Sequence, residues 1–167
     1  VHVVSVTPDG TDIEGAKAVG RDLPISMKHS VEVCSFIRGK DLQLAKQLLE
    51  EVVVLKRAVP YKKFNQDLGH KKGMMSGRFP QKTAKEILKI LESVEINAQF
   101  KGMNTSRLRI AHLVTHMGSR PYHSGRHRGR KMKRTHVEIV VQEYKAKDTK
   151  GKDTKEKKVK EQKSDKK

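Results

Sequence analysis

The fold is decided by residues 80–117, which read PQKTAKEILKILESVEINAQFKGMNTSRLRIAHLVTHM. The first half predicts a helix that opens with Pro80 in its first turn and ends near Phe100. Its apolar stripe comprises Ala84, Ile87, Leu88, Leu91 and Ala98. The period then changes to two, which is typical of a strand. The alternating residues are Leu108, Ile110, His112, Val114 and His116. A second alternating run, with Val137, Ile139 and Val141, predicts another strand.

Two more helices are predicted upstream of this stretch. Ser26 is a candidate cap for a helix over residues 27–38, which Gly39 ends. Asp41 is a candidate cap for a second helix that ends before Pro60, and its helical pattern outweighs the strand-like run at residues 52–54. Residues 3–6 form a candidate short strand, and we expect residues 13–22 to be extended and to pair with the later strands.

The charge of the chain predicts a polyanionic partner. Its 167 residues include 37 Lys and Arg against 19 Asp and Glu, a formal net charge of +18. A nucleic acid neutralises such a charge directly. A membrane partner fits poorly because the longest apolar run, residues 52–55, is far below the roughly 20 residues of a membrane span. The start of the chain lacks a secretory pattern, so an intracellular protein is expected.

A basic low-complexity tail is expected at residues 145–167. It contains 11 Lys, 5 acidic residues and only two apolar side chains. Burial cannot offset the entropy of ordering such a segment, so we predict disorder. Without its charge of +6, residues 1–144 still carry +12.

Between the two predicted strands lies the most cationic part of the chain. Residues 118–136 hold five Arg, two Lys and three His, with no acidic residue. We predict that the strands extend beyond the sheet into a basic finger that contacts RNA, because Arg matches phosphate with a planar fork and also stacks on bases. A solvated basic loop is the alternative.

A second basic segment, residues 56–78, separates the second and third predicted helices. It carries seven Lys and Arg residues, three Gly and the single acid Asp67. Because it is too long for an ordinary helix connection, we expect either a flexible ribbon that orders along phosphates or a disordered insertion.

The remaining reactive residues give no support for metal binding or catalysis. Two His pairs, 112/116 and 123/127, have helical zinc spacing, but the first lies on a predicted strand and the second lies among arginines. The lone cysteine, Cys34, excludes an internal disulfide and falls on an apolar helix stripe, which indicates inert packing. The sequence has neither the glycine spacing of a nucleotide-binding phosphate loop nor a pair of carboxylates placed for acid–base catalysis. We therefore predict no enzymatic activity, cofactor or metal.

Several motifs in order resemble one family, the universal large-subunit ribosomal protein numbered twenty-two in bacteria and seventeen in eukaryotes. These motifs are Arg21-Asp22-Leu23-Pro24-Ile25-Ser26, Ile37-Arg38-Gly39-Lys40, Gly129-Arg130 and Lys133-Arg134-Thr135-His136-Val137-Glu138-Ile139. Phe64-Asn65, Gly69-His70-Lys71 and Gly77-Arg78-Phe79-Pro80 are similar to the insertion of its archaeal and eukaryotic branch. The resemblance covers about residues 13–144.

The resemblance implies an α+β domain of three helices on a small three-stranded antiparallel sheet, with a long protruding basic β-hairpin at residues 108–144. Residues 1–12 are then an N-terminal extension, residues 13–144 a single domain and residues 145–167 a tail. The implied role is that of a structural constituent of the large subunit in the cytoplasm. Its globular part would lie near the polypeptide exit, its hairpin would line the nascent-chain tunnel, and it would assist assembly.

The implied partners are several domains of rRNA, neighbouring ribosomal proteins and the nascent polypeptide, with neither a membrane nor a second copy of the chain. The predicted rRNA-binding residues are Arg21, Lys28, Arg38, Lys40, Lys62, Lys63, His70, Lys71, Lys72, Arg78, Lys82, Arg120, Tyr122, His123, Arg126, His127, Arg128, Arg130, Lys131, Lys133 and Arg134. Those predicted to line the tunnel are Arg120, Tyr122, His123, Arg126, His127 and Arg128.

Two other classes of function are open to this sequence. A free nucleic-acid binder, such as a chromatin protein or RNA chaperone, would account for the Lys-rich tail but not for the finger. An RNA-modifying enzyme would need an acid–base pair or a cofactor loop, which the sequence does not offer.

Overall fold

Three α-helices and six β-strands follow one another along residues 15–144, the part of the chain that this computed structural model describes. The strands are β1 (Ala16–Leu23), β2 (Val59–Pro60), β3 (His70–Lys71), β4 (Met74–Arg78), β5 (Leu108–Met117) and β6 (Thr135–Glu143). The helices are α1 (Met27–Ile37), α2 (Leu42–Val53) and α3 (Gln81–Phe100). The predicted strand at residues 3–6, the N-terminal extension and the Lys-rich tail lie outside the described residues.

The main sheet has the order β1-β6-β5 and is antiparallel throughout, so β6 is its central strand. Ala18 on β1 is opposite Ile139 on β6, which confirms that the segment before α1 pairs with the later strands. Helix α3 packs on β1 and β6, and α1 packs on β5. The core between these layers includes Ile37, Leu91 and Ile139. The predicted α+β class, with three helices on a three-stranded antiparallel sheet, is confirmed.

Strand β5 contains a bulge at Ala111, because its pairing with β6 skips one residue between Ile110 and His112. A bulge turns the following side chains to the opposite face. Leu113 is consequently fully buried, whereas Val114 is only half-buried. The prediction of one unbroken alternation along this strand is therefore wrong beyond Ile110.

Helix α1 agrees with its predicted range of 27–38 to within one residue, whereas α2, which was predicted to continue to a point before Pro60, already ends at Val53. Ser26 and Asp41 do occupy the N-cap positions of α1 and α2, but neither side chain makes a capping hydrogen bond. Pro80 directly precedes α3 instead of lying in its first turn. Gly39 has a φ of +72°, a conformation that glycine adopts at little cost, and it ends α1 as predicted.

The basic segment between α2 and α3 is folded, which corrects its interpretation as a flexible ribbon or disordered insertion. Its three short strands form a second antiparallel sheet in the order β2-β4-β3. Val59 and Tyr61 are buried and belong to the hydrophobic core. We call residues 58–79 the inserted sheet.

The outer edge of β1 and the residue before it accept hydrogen bonds from side chains at the C-terminal end of α3. Asn97 Nδ2 donates to the carbonyl oxygen of Lys17 at 2.8 Å, and Lys101 Nζ donates to that of Gly15 at 2.7 Å. The helix therefore covers carbonyl groups that an edge strand otherwise presents to solvent.

The outer edge of β5 is bonded in the same way by the turn after α1. Ile110 accepts a hydrogen bond from the Gly39 N–H and donates one to the Lys40 carbonyl, at 3.1 and 3.0 Å. Farther along β5, Arg38 Nη2 donates to the Leu113 carbonyl at 2.7 Å. The two edges of the main sheet are thus both engaged by neighbouring helix or turn residues.

Candidate nucleic-acid interface

The segment that joins β5 to β6, residues 118–134, continues the pairing of the two strands beyond the sheet. At its base the Gly118 N–H donates to the Arg134 carbonyl at 3.0 Å, and farther out the His123 N–H donates to the Arg130 carbonyl at 2.9 Å. A 3₁₀ turn at Gly125–His127 forms the tip. We call this segment the finger.

The finger presents almost nothing but polar and cationic groups to solvent. Every residue from 119 to 131 is exposed. Its seven cations, which we call the finger cations, are Arg120, Arg126, Arg128, Arg130, Lys131, Lys133 and Arg134. Near the middle, Lys131 Nζ lies 5.1 Å from the ring centroid of Tyr122, which leaves an exposed aromatic ring beside a positive charge. Rings and cations of this kind stack on bases and bind phosphates.

A single carboxylate holds the inserted sheet against α1. Glu32 is buried in the middle of α1, and its carboxylate accepts three backbone hydrogen bonds. The N–H groups of Lys62, Lys63 and Phe64 donate at 3.0, 2.8 and 2.7 Å. A buried carboxylate with charge-assisted bonds to consecutive amides fixes the direction of that backbone. The neighbouring Lys side chains are thereby held at the surface.

Next to this anchor, His29 on α1 is bonded to Tyr61 of the inserted sheet. The Tyr61 oxygen lies 2.7 Å from His29 Nδ1, and burial raises the pKa of Tyr61 to about 12, so the hydroxyl is protonated and donates. Burial lowers the pKa of His29, and the charges of Arg78 and Lys133 lower it further. His29 is therefore an uncharged acceptor at neutral pH.

The two basic segments meet at the N-terminal turn of α1. A cleft between this turn and the base of the finger is lined by Lys28, His29 and Lys133. A second cleft, between the turn and the inserted sheet, shares Lys28 and His29 and is lined also by Arg78. At the point where the finger ends, Thr135 Oγ1 donates to the Ile25 carbonyl at 3.0 Å and fixes the finger base beside α1.

Three further clefts share lining residues with these two: one is lined by Phe79, one by both Phe79 and Lys82, and one by Lys82 and residues of the finger. We call the connected clefts the basic groove, and among their lining residues only Asp67 is acidic. The predicted contact residues that line it are Lys28, Lys63, Lys71, Arg78, Lys82, Arg120, His123, Arg130, Lys131, Lys133 and Arg134.

Other predicted contact residues lie outside the groove. Those at the outer part of the finger are Tyr122, Arg126, His127 and Arg128, and those elsewhere are Arg21, Arg38, Lys40, Lys62, His70 and Lys72. Arg38 and Lys40 follow the C-terminal end of α1. There Arg38 bonds to β5, and Lys40 Nζ lies 6.0 Å from the Phe36 ring centroid.

Sequence reasoning missed Glu32, His29 and Tyr61, which shape the interface. A signal for Glu32 exists, because it is an acid on a helix whose neighbours Val33 and Cys34 are buried. Nothing comparable indicates His29 or Tyr61, since their pairing joins residues 32 positions apart.

Within residues 15–144, no group of three or more His, Cys, Asp or Glu side chains is placed to hold a metal ion. Cys34 is buried as predicted, and burial raises the pKa of its thiol to about 12, so the thiolate is not formed at neutral pH. In the same residues, no helix has the length and apolar content that crossing a bilayer requires.

Comparison with known proteins gives one consistent match. The profile of the family described as "Ribosomal protein L22p/L17e" matches residues 18–142. The chain is similar to the large ribosomal subunit protein uL22 of Archaeoglobus fulgidus, with 40% identity over 139 residues that cover 78% of this chain and 90% of that protein. It is 38% identical to the uL22 of Methanocaldococcus jannaschii, covering 86% and 94% of the two chains. The corresponding protein of Methanopyrus kandleri is 40% identical, covering 83% and 94%.

Proposed function

Because the chain belongs to the ribosomal protein L22p/L17e family, we propose that it binds large-subunit rRNA through the basic groove and the finger. Members of this family are structural proteins of the large ribosomal subunit and not enzymes, in agreement with the sequence-based prediction. The relatives in the comparison come from archaea, which agrees with the predicted archaeal and eukaryotic branch.

The observation that carries the proposal is the meeting of two basic segments at one turn of α1. Lys63 and Arg78 come from the inserted sheet, whereas Arg120 and Lys133 come from the finger, yet all line clefts that share Lys28 and His29. Concentrating cations that are distant in sequence costs electrostatic repulsion in the free protein. A folded RNA that brings several phosphates together relieves this repulsion, and the phosphate contacts then set the position of the protein on the RNA.

The finger supplies the second part of the proposal, the lining of the nascent-chain tunnel. It is an antiparallel extension whose outer residues are all exposed and therefore available to surroundings other than its own core. We assign the outer positions Arg120, Tyr122, His123, Arg126, His127 and Arg128 to the tunnel wall. The body, which carries the basic groove, would sit near the exit, beside neighbouring ribosomal proteins.

The proposal also includes a role in subunit assembly. The body contacts RNA through the groove and the finger contacts RNA along its length, so one chain can hold several rRNA segments in a fixed arrangement. Neither part needs a chemical step. No cofactor or metal is part of the proposed mechanism.

Salt-resistant incorporation into the large subunit tests the proposal. We expect the wild-type chain to co-sediment with large subunits on sucrose gradients in high salt. The variant K28A/R78A/K133A removes three groove cations and should lower the salt-dependence slope of rRNA binding by about 2 to 3, at roughly 0.7 to 0.9 per phosphate contact.

The matched control for this experiment is K85A/K89A/R107A, which removes three exposed cations away from the groove. It should leave the salt slope nearly unchanged. Release of the wild-type chain from subunits at modest salt, or its recovery with chromatin, would instead favour a free nucleic-acid binder. An equal effect of the two triple variants would refute the assignment of binding to the groove.

A further inference from the structure

The cleft between α1 and the inserted sheet differs chemically from the rest of the basic groove. It encloses about 560 Å³, and the residues lining it include Lys28, Phe64, Gln66, Asp67 and Arg78. A volume between about 300 and 1,000 Å³ is typical of sites that receive a small molecule or a single chemical group. The cleft therefore offers an aromatic ring, cations, an amide and one carboxylate within a space of that size.

The carboxylate is the unexpected member of this set. Asp67 forms no ion pair or side-chain hydrogen bond with any residue between 15 and 144, although it lines a cleft with three Lys and Arg residues. A negative charge repels phosphate, so phosphate binding alone does not explain why a carboxylate lines this cleft. Because Asp67 is exposed and unpaired among the described residues, its carboxylate is free to accept hydrogen bonds from a ligand group other than phosphate.

The aromatic ring supplies a stacking surface next to this carboxylate. Phe64 is half-buried, and its backbone is fixed by the bond to Glu32. The ammonium groups of Lys28 and Lys63 each lie 5.8 Å from the centroid of its ring. These cation–π contacts cover the ring, so a base that stacks on Phe64 takes the place of an exposed Lys side chain, and the ammonium groups stay close enough to bind its phosphate.

The wall formed by His29 and Tyr61 is uncharged and fixed. The Tyr61 hydroxyl donates to His29, so both polar atoms are already satisfied. Protonated Tyr61 and neutral His29 add no charge near the base position. The cleft thus contains both cations suited to phosphate and, in Gln66 and Asp67, polar groups that can bond to a base edge.

We propose that this cleft receives one unstacked guanine nucleotide of the RNA, with its base on Phe64, its phosphate on Lys28 and Lys63, and its Watson–Crick edge on Asp67. Guanine presents two adjacent donors on that edge, N1–H and N2–H₂, which a carboxylate accepts together. Adenine, cytosine and uracil each present one. The inference rests on the proposed rRNA-binding function and specifies which kind of nucleotide the inserted sheet recognises.

Binding of short RNA by the full chain tests the proposal. The probes are fluorescein-labelled hexanucleotides UUGUUU, UUAUUU, UUCUUU and UUUUUU, measured by anisotropy at one fixed salt concentration. We expect UUGUUU to bind about 5- to 150-fold more tightly than the others, the discrimination typical of one bidentate base contact. In D67N this preference should disappear, while UUUUUU binds as tightly as before or more tightly because a negative charge is lost.

The control variant is E92Q, which removes the same charge from an exposed position on α3 and should keep the preference for guanine. F64L should weaken binding of UUGUUU several-fold, and its thermal unfolding curve shows whether the fold is intact. For location, a hexanucleotide with 6-thioguanine at the third position should crosslink to the tryptic peptide Phe64–Lys71.

The outcomes separate this inference from the proposed function. Equal affinity for the four hexanucleotides, a guanine preference that survives D67N, or a crosslink confined to the finger would each overturn the guanine site. Salt-dependent binding to rRNA and entry into subunits would remain in all three cases. Failure of the wild-type chain to bind rRNA would overturn the proposed function itself.

Discussion

Replacing Glu32 with Gln should weaken the attachment of the inserted sheet to α1. Glu32 accepts backbone hydrogen bonds from Lys62 at Oε2 and from Lys63 and Phe64 at Oε1. In E32Q the side-chain oxygen can retain two of these bonds, but the new amide group turns a donor toward the remaining N–H. One backbone donor thus loses its partner, and two charge-assisted bonds become neutral ones.

The size of the effect follows from these three bonds. A partly buried donor without a partner costs about 1 to 3 kcal/mol, and a hydrogen bond to a neutral acceptor is roughly 0.5 to 1 kcal/mol weaker than one to a charged acceptor. We therefore expect E32Q to lower the free energy of unfolding by about 2 to 5 kcal/mol. Such a change is a large fraction of the roughly 5 to 15 kcal/mol that stabilises a typical domain.

Urea unfolding followed by circular dichroism measures this loss, and hydrogen–deuterium exchange at residues 62–64 shows whether it originates at the anchor. Exchange there should become faster in E32Q than in the wild-type chain. The control E92Q changes an exposed acid on α3 and should stay within about 0.5 kcal/mol of wild type. A loss below about 0.5 kcal/mol in E32Q, with amides 62–64 still protected, would refute the anchoring role of Glu32.

Three other predictions concern the finger and His29. Neutralising all seven finger cations should reduce the salt-dependence slope of rRNA binding by about 5 to 6, at roughly 0.7 to 0.9 per phosphate, and an unchanged slope in a filter-binding titration would contradict finger contact. Replacing residues 119–134 with an Asn-Gly turn should leave a folded domain that still enters large subunits, because residues 119–131 are exposed. Circular dichroism tests the fold and sedimentation tests entry into subunits. Imaging of the purified particles should then show an altered tunnel wall. Because the pKa of His29 is lowered below 6.5, its protonation opposes folding, so stability should fall as the pH is lowered below about 6.5. The variant H29Q should lack this component in urea unfolding at pH 7 and pH 5, and an identical decline in both proteins would contradict it.

The helices and the main sheet were predictable because their signals are local. The stripe that contains Ile87 and Leu91 is set by residues three or four positions apart, and both are fully buried. The bulge at Ala111 was not predictable, since β5 carries apolar residues on both sides of its alternation. Only the packing of Leu113 against the core decides which register the strand adopts.

The order of the inserted sheet also depends on a contact that no local pattern reveals. Residues 56–78 are rich in Lys and Gly, a composition that favours flexibility. Their backbone is fixed by Glu32, about 30 residues earlier in the chain. The basic composition of the chain therefore indicated a polyanionic partner. Only the fold shows that the two basic segments line one groove.

For the candidate interface, the contacts of the named residues with rRNA stay a prediction. Eleven of the predicted contact residues line the groove, but their shared position around Lys28 and His29 follows only from the packing of α1 between the finger base and the inserted sheet. The role of Asp67 also emerges only in three dimensions, because in the sequence it is one acid in a basic loop.

The hydrogen bonds along both outer edges of the main sheet have a consequence for the newly made chain before it reaches RNA. An open edge is a template on which another chain can add a strand, and such additions lead to aggregation. Here Asn97 and Lys101 occupy carbonyls of the β1 edge, and Arg38 occupies one on β5. These contacts leave fewer free backbone groups on the sheet edges, so the fold itself opposes the addition of a strand from another chain while the protein is unassembled.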